Sequence, residues 1–249
     1  MTDRPRFLNA GNAGPFTLDG TRTYLVGRSA VAVIDAGPAS EAHLRALTEA
    51  VEAATSVTIV VTHGHPDHAP GARALAAALR TDLWGPAGVD GVSRPLLDGD
   101  VVSTDEGDLI AIDTPGHARH HIGLHWPARR AFFAGDLVLG TGDTVWVGEY
   151  SGCVADYLAS LERVRSLDLA VIYPAHGPPL DSPTEAIDRF VEHRRHRIRQ
   201  MEALLVERPG ASADALLEVI YGKQLPDGAR KAALRSVEAM KAHVEAGPT

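Results

Sequence analysis

The chain is constrained most by Thr62-His63-Gly64-His65-Pro66-Asp67-His68, which sets three imidazoles and a carboxylate within six positions, directly after the apolar run Val57 to Val61. Neutral imidazole suits zinc and its first-row neighbours, and a carboxylate oxygen completes a mixed nitrogen and oxygen site. A catalytic zinc takes three protein ligands and keeps one position open for water. Four donors in one stretch therefore point to two ions. If Val57 to Val61 is a buried strand, His63 and His65 leave its end on one side, because their i, i+2 spacing repeats the period of an extended chain. Pro66 fixes its own φ and biases His65 away from the helical region, so the chain is expected to turn there and start a helix near Asp67 or Ala69. Asp67 and His68 are then aimed at a second position. A histidine-rich surface loop is the competing reading, but such a loop has no need of an acid in register with three histidines.

At 249 residues the chain suits one large domain, or one domain with a small appendage. Its single cysteine, Cys153, excludes a disulfide framework and a thiolate zinc cluster, and fits a reducing, cytoplasmic compartment. Cys153 itself reads as a small buried hydrophobe at a helix start. Met1-Thr2-Asp3-Arg4-Pro5-Arg6 leads into no long apolar run, so no secretory leader is expected. No stretch approaches the roughly 20 apolar residues of a membrane span. The formal net charge of −8 argues against broad affinity for nucleic acid.

Along the chain, Thr21 to Val26 and Ala30 to Asp35 read as a hairpin around Gly27-Arg28-Ser29. A helix is expected from Ser40, as N-cap, to Ala53, and a second from Pro70 to Leu79, whose alanines allow close packing on a sheet. Further strands are expected at Val57 to Val61, Thr81 to Trp84, Leu109 to Asp113, His121 to Trp126, Arg130 to Phe133 and Leu169 to Tyr173, with a helix over Val154 to Leu167. Strands with interposed helices predict an α/β or α+β core whose sheets are covered on their outer faces. After Pro183 the strand signals stop. Thr184 to Val206 places Ile187, Val191, Ile198, Met201 and Leu205 on one stripe that Arg194 interrupts. Two more helices follow, Ala213 to Tyr221 with Ser212 as N-cap and Ala229 to His243, separated by Pro226-Asp227-Gly228. The expected division is a domain over residues 1–183 and a helical segment over residues 184–249.

Three further donors stand at strand ends beside small residues: His117 after Thr114-Pro115-Gly116, Asp136 after Ala134-Gly135, and His176 between Ala175 and Gly177. Glycine and proline there let the backbone approach closely and hold each loop rigid. The ordered set His-x-His-x-Asp-His, Thr-Pro-Gly-His, Gly-Asp and His-Gly resembles the metallo-β-lactamase superfamily over about Thr21 to Pro179. The resemblance implies a four-layer αββα sandwich with a metal site along one edge of the two facing sheets. It implies that His63, His65 and His117 hold one ion, that Asp67, His68 and His176 hold the other, and that Asp136 bridges them. Gly135-Asp136-Leu137-Val138-Leu139-Gly140 and Tyr173-Pro174-Ala175-His176-Gly177-Pro178, with His193-Arg194 and Arg197, are similar to a narrower branch. That branch holds β-lactamase-like single-stranded-RNA endonucleases and bacterial hydrolases, and adds a winged-helix-like segment after the sandwich.

The chemistry this implies is a hydrolase with two zinc ions, iron or manganese being acceptable to the same donors, and a bridging hydroxide that attacks a small ester, thioester or lactone. Asp67 orients that hydroxide or moves its proton. Thr62, Asp35 and His121 are candidates to hold the ligating rings, Asp35 being equally suited to a turn before Ala36-Gly37-Pro38. His120 and His125 are expected at solvent or a polar strand surface, and His43 and His243 at the surface. Arg189, Arg194, Arg195, Arg197 and Arg199 read as a solvated helix face, except that Arg194, on the apolar stripe, must pair with an acid or face substrate. A single-stranded RNA endonuclease would use the same metal site, but an acidic chain with 5% aromatic residues is a poor nucleic-acid groove, so a small molecule is the favoured partner. A mononuclear iron dioxygenase, with two histidines and Asp136 as a facial triad, is the third reading.

Overall fold

The computed structural model describes residues 4–222, 225 and 227–247. The first three residues of the N-terminal reading and the Pro226 breaker lie outside them. The first sheet pairs six strands in chain order: β1 (Arg6–Asn9), β2 (Arg22–Val26), β3 (Ala30–Ile34), β4 (Ser56–Val60), β5 (Leu83–Pro86) and β6 (Arg94–Leu96). The second contains β7 (Val101–Val102), β8 (Leu109–Asp113), β9 (Ile122–Trp126), β10 (Ala131–Gly135) and β11 (Val171–Pro174), ordered β11-β10-β9-β8-β7. Helices α1 (Glu41–Val51) and α2 (Ala69–Leu79) belong to the first half. Helices α3 (Cys153–Arg165), α4 (Pro183–Glu207), α5 (Ala213–Tyr221) and α6 (Asp227–Ala246) belong to the second.

Three apolar interfaces separate four layers. Between the sheets, Tyr24, Val26, Ile34 and Val60 meet Leu109, Leu124, Trp126 and Phe133. Outside the first sheet, Leu25, Val33 and Ile59 pack on Leu47 of α1 and Leu75 of α2. Outside the second, Phe132 and Ile172 pack on Tyr157 and Leu161 of α3 and Phe190 of α4. Adjacent residues serve opposite interfaces, Leu25 outward and Val26 inward, Phe132 outward and Phe133 inward, because side chains alternate along a strand. Both faces of each sheet are covered, which is why these strands read as continuous apolar runs. The result is the αββα sandwich.

Topology gathers the loops that matter at one edge. β3, β4 and β5 run parallel, so the segments after β3 and β4, carrying Asp35 and the histidine motif, leave the sheet on the same side. β10 runs parallel to β11 and antiparallel to β9, which brings Asp136, His176 and the start of β9 to the matching edge of the second sheet. The two edges are stitched together: His63 bridges His121, Thr21 bridges His176, and the Ile122 N–H donates to the Thr62 carbonyl at 3.0 Å.

Several local expectations need correction. β1 and β6 carry little strand signal, since β1 is mostly exposed and β6 contains Pro95, tolerable at a sheet edge. Ser40 stands at the N-cap of α1 but makes no capping bond, whereas Ser212 Oγ accepts the Ala215 N–H at 3.3 Å. His43, expected at the surface, is buried: it shares the i, i+4, i+8 face of α1 with Leu47 and Val51. Because Thr23 Oγ1 donates to the Asp35 carbonyl at 2.7 Å, it accepts from His43 Nε2 at 2.8 Å. His243 is half-buried rather than exposed. Among the described residues no strand follows β11, and the helical segment shares its core with the sandwich: Val191, Met201, Leu216 and Met240 sit in one cluster with Phe132 and Tyr157. No helix among them is long and apolar enough to cross a membrane.

Candidate metal centre

All seven donors named from the sequence arrive at this edge in two groups, each with donor atoms within 4.8 Å of one another: His63, His65 and His117, then Asp67, His68, Asp136 and His176. In the first, His65 Nδ1 lies 3.0 Å from His63 Nε2 and 2.9 Å from His117 Nε2. In the second, His176 Nε2 lies 3.1 Å from Asp67 Oδ2 and 3.3 Å from Asp136 Oδ1, and His68 Nε2 lies 3.5 Å from each carboxylate. The other oxygen of Asp136, Oδ2, is 3.5 Å from His117 Nε2, so this carboxylate turns one oxygen toward each group.

Each imidazole is aimed by a contact on its far nitrogen. Thr62 donates its N–H and Oγ1–H to the two oxygens of Asp35, both at 2.8 Å, leaving Oγ1 to accept from His63 Nδ1 at 3.0 Å. His117 Nδ1 donates to the Trp146 carbonyl at 2.8 Å, and His176 Nδ1 to the Gly20 carbonyl at 3.3 Å. His68 Nδ1 faces Asp35 Oδ2 at 3.1 Å, and His65 Nε2 faces Glu149 Oε1 at 3.6 Å. For His63 and His117, anchoring one ring nitrogen fixes the tautomer and presents the other as a lone pair, the arrangement metal-ligating histidines use. His121 is anchored differently. Its Nε2 accepts the Asp136 N–H at 3.2 Å and its Nδ1 meets Thr114 Oγ1 at 2.8 Å, so both nitrogens are spent on holding the loop and none remains for an ion.

Two of the glycines beside the donors are forced by the fold. Gly135 has φ of 49°, and a Cβ there would lie 2.7 Å from Thr62 Oγ1. Gly116 has φ of 136°, and a Cβ there would run into the Tyr157 backbone. Gly64, between two of the histidines, has room to spare, its nearest neighbour being Val89 at 3.7 Å. Asp35 takes φ of 54°, a left-handed conformation tolerated because its carboxylate is tied to Thr62. Asp35 thus supports the rings through Thr62, and its carboxylate is spent there rather than on a turn of its own.

Electrostatics divides the groups. Burial pushes the imidazoles of His63, His65 and His117 down, His117 to about 4, so all three are neutral at physiological pH. Burial also lowers His121, to about 3. For His68 and His176 burial acts in the same direction, but neighbouring carboxylates outweigh it: Asp35 and Asp136 raise His68 well above its ordinary value, and Asp136 and Asp67 raise His176 to about 9. Burial would raise Asp67 and Asp136, yet the facing His176 and His68 hold both well below the usual carboxylate range. His68 Nε2, His176 Nε2 and Asp136 Oδ1 are buried and make no hydrogen bond of good geometry. Buried polar atoms without partners, converging on a point, are what a cation would satisfy. The donor set fits a metal site.

A pocket of about 900 Å³ opens over the donors, with His65, Asp67, His117 and Asp136 on its floor. Its walls are Phe16 and Leu18 before β2, Leu139 and Trp146 after β10, and Tyr221 and Ala232 of the helical segment. Trp146 and Glu149 are functional candidates that motif reading misses. Trp146 acts through its carbonyl, which leaves no side-chain signature, while its indole N–H donates to the Ala232 carbonyl at 2.9 Å and joins the loop to α6. Arg194, expected to pair with an acid or face substrate, is buried with no acid partner among the described residues: it donates to the Val145 carbonyl at 2.9 Å and lies over the Tyr157 ring. Arg197 covers Tyr221, and Arg199 pairs with Glu192.

A model of the metallo-beta-lactamase superfamily matches residues 16–176. Among curated proteins, a beta-lactamase-like protein 2 homolog of Caenorhabditis elegans is 34% identical over 96% of this chain and 83% of its own length. The atrochrysone carboxyl ACP thioesterase of Aspergillus fumigatus is 30% identical over 86% of this chain and 72% of its own. Among solved structures, a beta-lactamase domain protein from Burkholderia ambifaria superposes with a TM-score of 0.83 at 22% identity, covering 98% of this chain and 87% of that one. A metallo-beta-lactamase family protein from Thermus thermophilus gives 0.79 at 20% identity, over 97% and 93%.

Proposed function

This chain belongs to the metallo-beta-lactamase superfamily and is a hydrolase of that fold; we propose that it carries two zinc ions and cleaves a small ester, thioester or lactone. His63, His65 and His117 would hold one ion, Asp67, His68 and His176 the other, with Asp136 between them. When bound, such a pair polarises the attacked carbonyl and brings the pKa of a shared water near neutrality. The chain's own groups do the rest. Asp67, a quarter exposed and the more open of the two carboxylates, is placed to orient the attacking water and take up its proton. Thr62, Asp35 and the Trp146 carbonyl keep the rings in one tautomer. The apolar walls hold the acyl portion and exclude competing water.

The observation that carries this reading is the convergence of seven donors from four separate segments, of which His65, Asp67, His117 and Asp136 reach the floor of an apolar pocket. A small acyl substrate is supported by those walls and by the relative whose name is that of a thioesterase. A single-stranded RNA substrate fits less well, since the pocket walls are mostly apolar and the chain carries a formal net charge of −8. Metal analysis of the purified protein, followed by assays of the zinc-loaded form with a thioester, a lactone and a single-stranded oligonucleotide, tests the reading. Zinc with cleavage of a thioester or lactone is the expected result; iron with oxygen consumption, or cleavage of the oligonucleotide alone, would overturn it. His65→Ala and Asp136→Ala are expected to lose metal and hydrolysis together.

A further inference from the structure

Resting on the hydrolase reading above, we propose that the pocket selects acyl substrates bearing a carboxylate at the far end of their apolar portion, and that Arg194 is the residue that reads it. Arg194 reaches the pocket wall from α4 and is only 4% exposed. Its Nη2 donates to the Val145 carbonyl at 2.9 Å, its guanidinium carbon lies 5.3 Å from the Tyr157 ring centre, and its Nε–H has no partner. No acid pairs with it among the described residues. A guanidinium stays protonated under all working conditions, and a charge taken out of water without a counter-ion is costly. An incoming carboxylate would supply that counter-ion in the planar, forked geometry a guanidinium matches best. One buried positive charge also suits a monoanion better than a phosphate dianion, which would leave a negative charge uncompensated in an apolar wall.

A second observation points the same way. Lys231 and Arg235 of α6 also line the pocket, and neither forms an ion pair with a described residue. By contrast Arg163 and Arg130, which do not line it, are engaged by acids, Arg163 by Asp98 and Arg130 by Asp168. Two exposed cations without acids thus flank the pocket, where they draw anions in. Leu139, Val145, Trp146 and Tyr221 line the same pocket and offer apolar surface to the middle of the substrate.

A purely structural role for Arg194 has to be separated, because Val145 precedes Trp146, whose carbonyl accepts from His117. The readout is the ratio of kcat/KM for mono-4-nitrophenyl adipate to that for 4-nitrophenyl hexanoate, which share the scissile bond and differ at the far end. The zinc-loaded wild type should favour the adipate. Arg194→Gln should lower the ratio about tenfold, mainly through KM, as expected for losing one charge-assisted hydrogen-bonded pair. Loss of activity on both esters with the ratio unmoved would overturn the proposal. Should Arg194→Gln fail to fold, the exposed pair Lys231→Ala with Arg235→Ala decides: a ratio lowered about threefold supports the carboxylate site, and an unchanged ratio overturns it. Binding of adipate against hexanoate to the zinc-loaded protein, by calorimetry, keeps the two readings apart, because both offer one carboxylate to the ions and only adipate carries a second at the far end. If neither ester is hydrolysed, the hydrolase reading fails on esters, while the adipate preference and its loss in Arg194→Gln, or their absence, still settle the role of Arg194.

Discussion

The two halves of the candidate centre solve the burial of polar groups in opposite ways. His63, His65 and His117 include no acid, and burial keeps all three neutral, with lone pairs facing one another. Asp67, His68, Asp136 and His176 carry their own counter-charges and, with Asp35 behind His68, three carboxylates raise the pKa of two imidazoles. The first group is a ready receptor for a cation and gains little from its own contacts. The second already has internal ion pairs, and an ion entering there must displace protons. Asp136 turns one carboxylate oxygen toward each.

Removing Asp136 should therefore break the comparison outright. Loss of a group that merely supports a ligand costs about 10–100-fold in metal affinity or activity, so Asp136→Ala, which strips a donor from both groups, should lower hydrolysis by more than about 100-fold. Bound zinc, counted by elemental analysis, should fall below one per chain. Asp35→Asn should sharpen the contrast instead. It weakens the hold on His68, 3.1 Å away, and is expected to reduce zinc affinity at the second group by about 10–100-fold. In a zinc titration the tighter equivalent should survive while the weaker one shifts.

The pH dependence of the metal-free protein should separate the halves as two limbs. His117 has its folded pKa depressed to about 4 against an ordinary value of 6.5, so below 6.5 the unfolded chain binds a proton that the folded chain refuses, and stability falls as pH falls toward 4. His176 has its folded pKa raised to about 9, so the stability contributed by its protonated form is lost as pH rises through 9. Thermal unfolding should be highest between these limbs and drop on the order of 5 °C on each side. A single limb would remove the distinction. The smallest effects concern two glycines next to donors. Gly116→Ala should cost about 1–3 kcal/mol for strain and overlap with the Tyr157 backbone. Gly64→Ala, with open space around it, should stay within about 0.5 kcal/mol. Chemical denaturation of both variants reads this directly.

The donors are legible because they cluster in one histidine-rich motif or stand singly at strand ends beside glycine, and the strands themselves because both faces of most are buried. What was not legible depends on partners distant in sequence. β1 and β6 exist through the neighbours that pair with them at the sheet edges. His43 looked like a surface residue only when its i, i+4, i+8 relation to Leu47 and Val51 was overlooked, a signal that was available. The Trp146 carbonyl is a backbone group and cannot be read from any side chain. Arg194 stood out as a cation on an apolar stripe, but its partners, a carbonyl and a tyrosine ring, emerge only from the packing of α4 against α3 and the loop after β10.

The most direct test titrates zinc into the metal-free protein while following hydrolysis of a thioester. The account predicts two equivalents bound per chain, with activity complete only when the second is in place and both lost in Asp136→Ala. Full hydrolysis by the metal-free protein, or zinc binding that Asp136→Ala leaves intact, would contradict it.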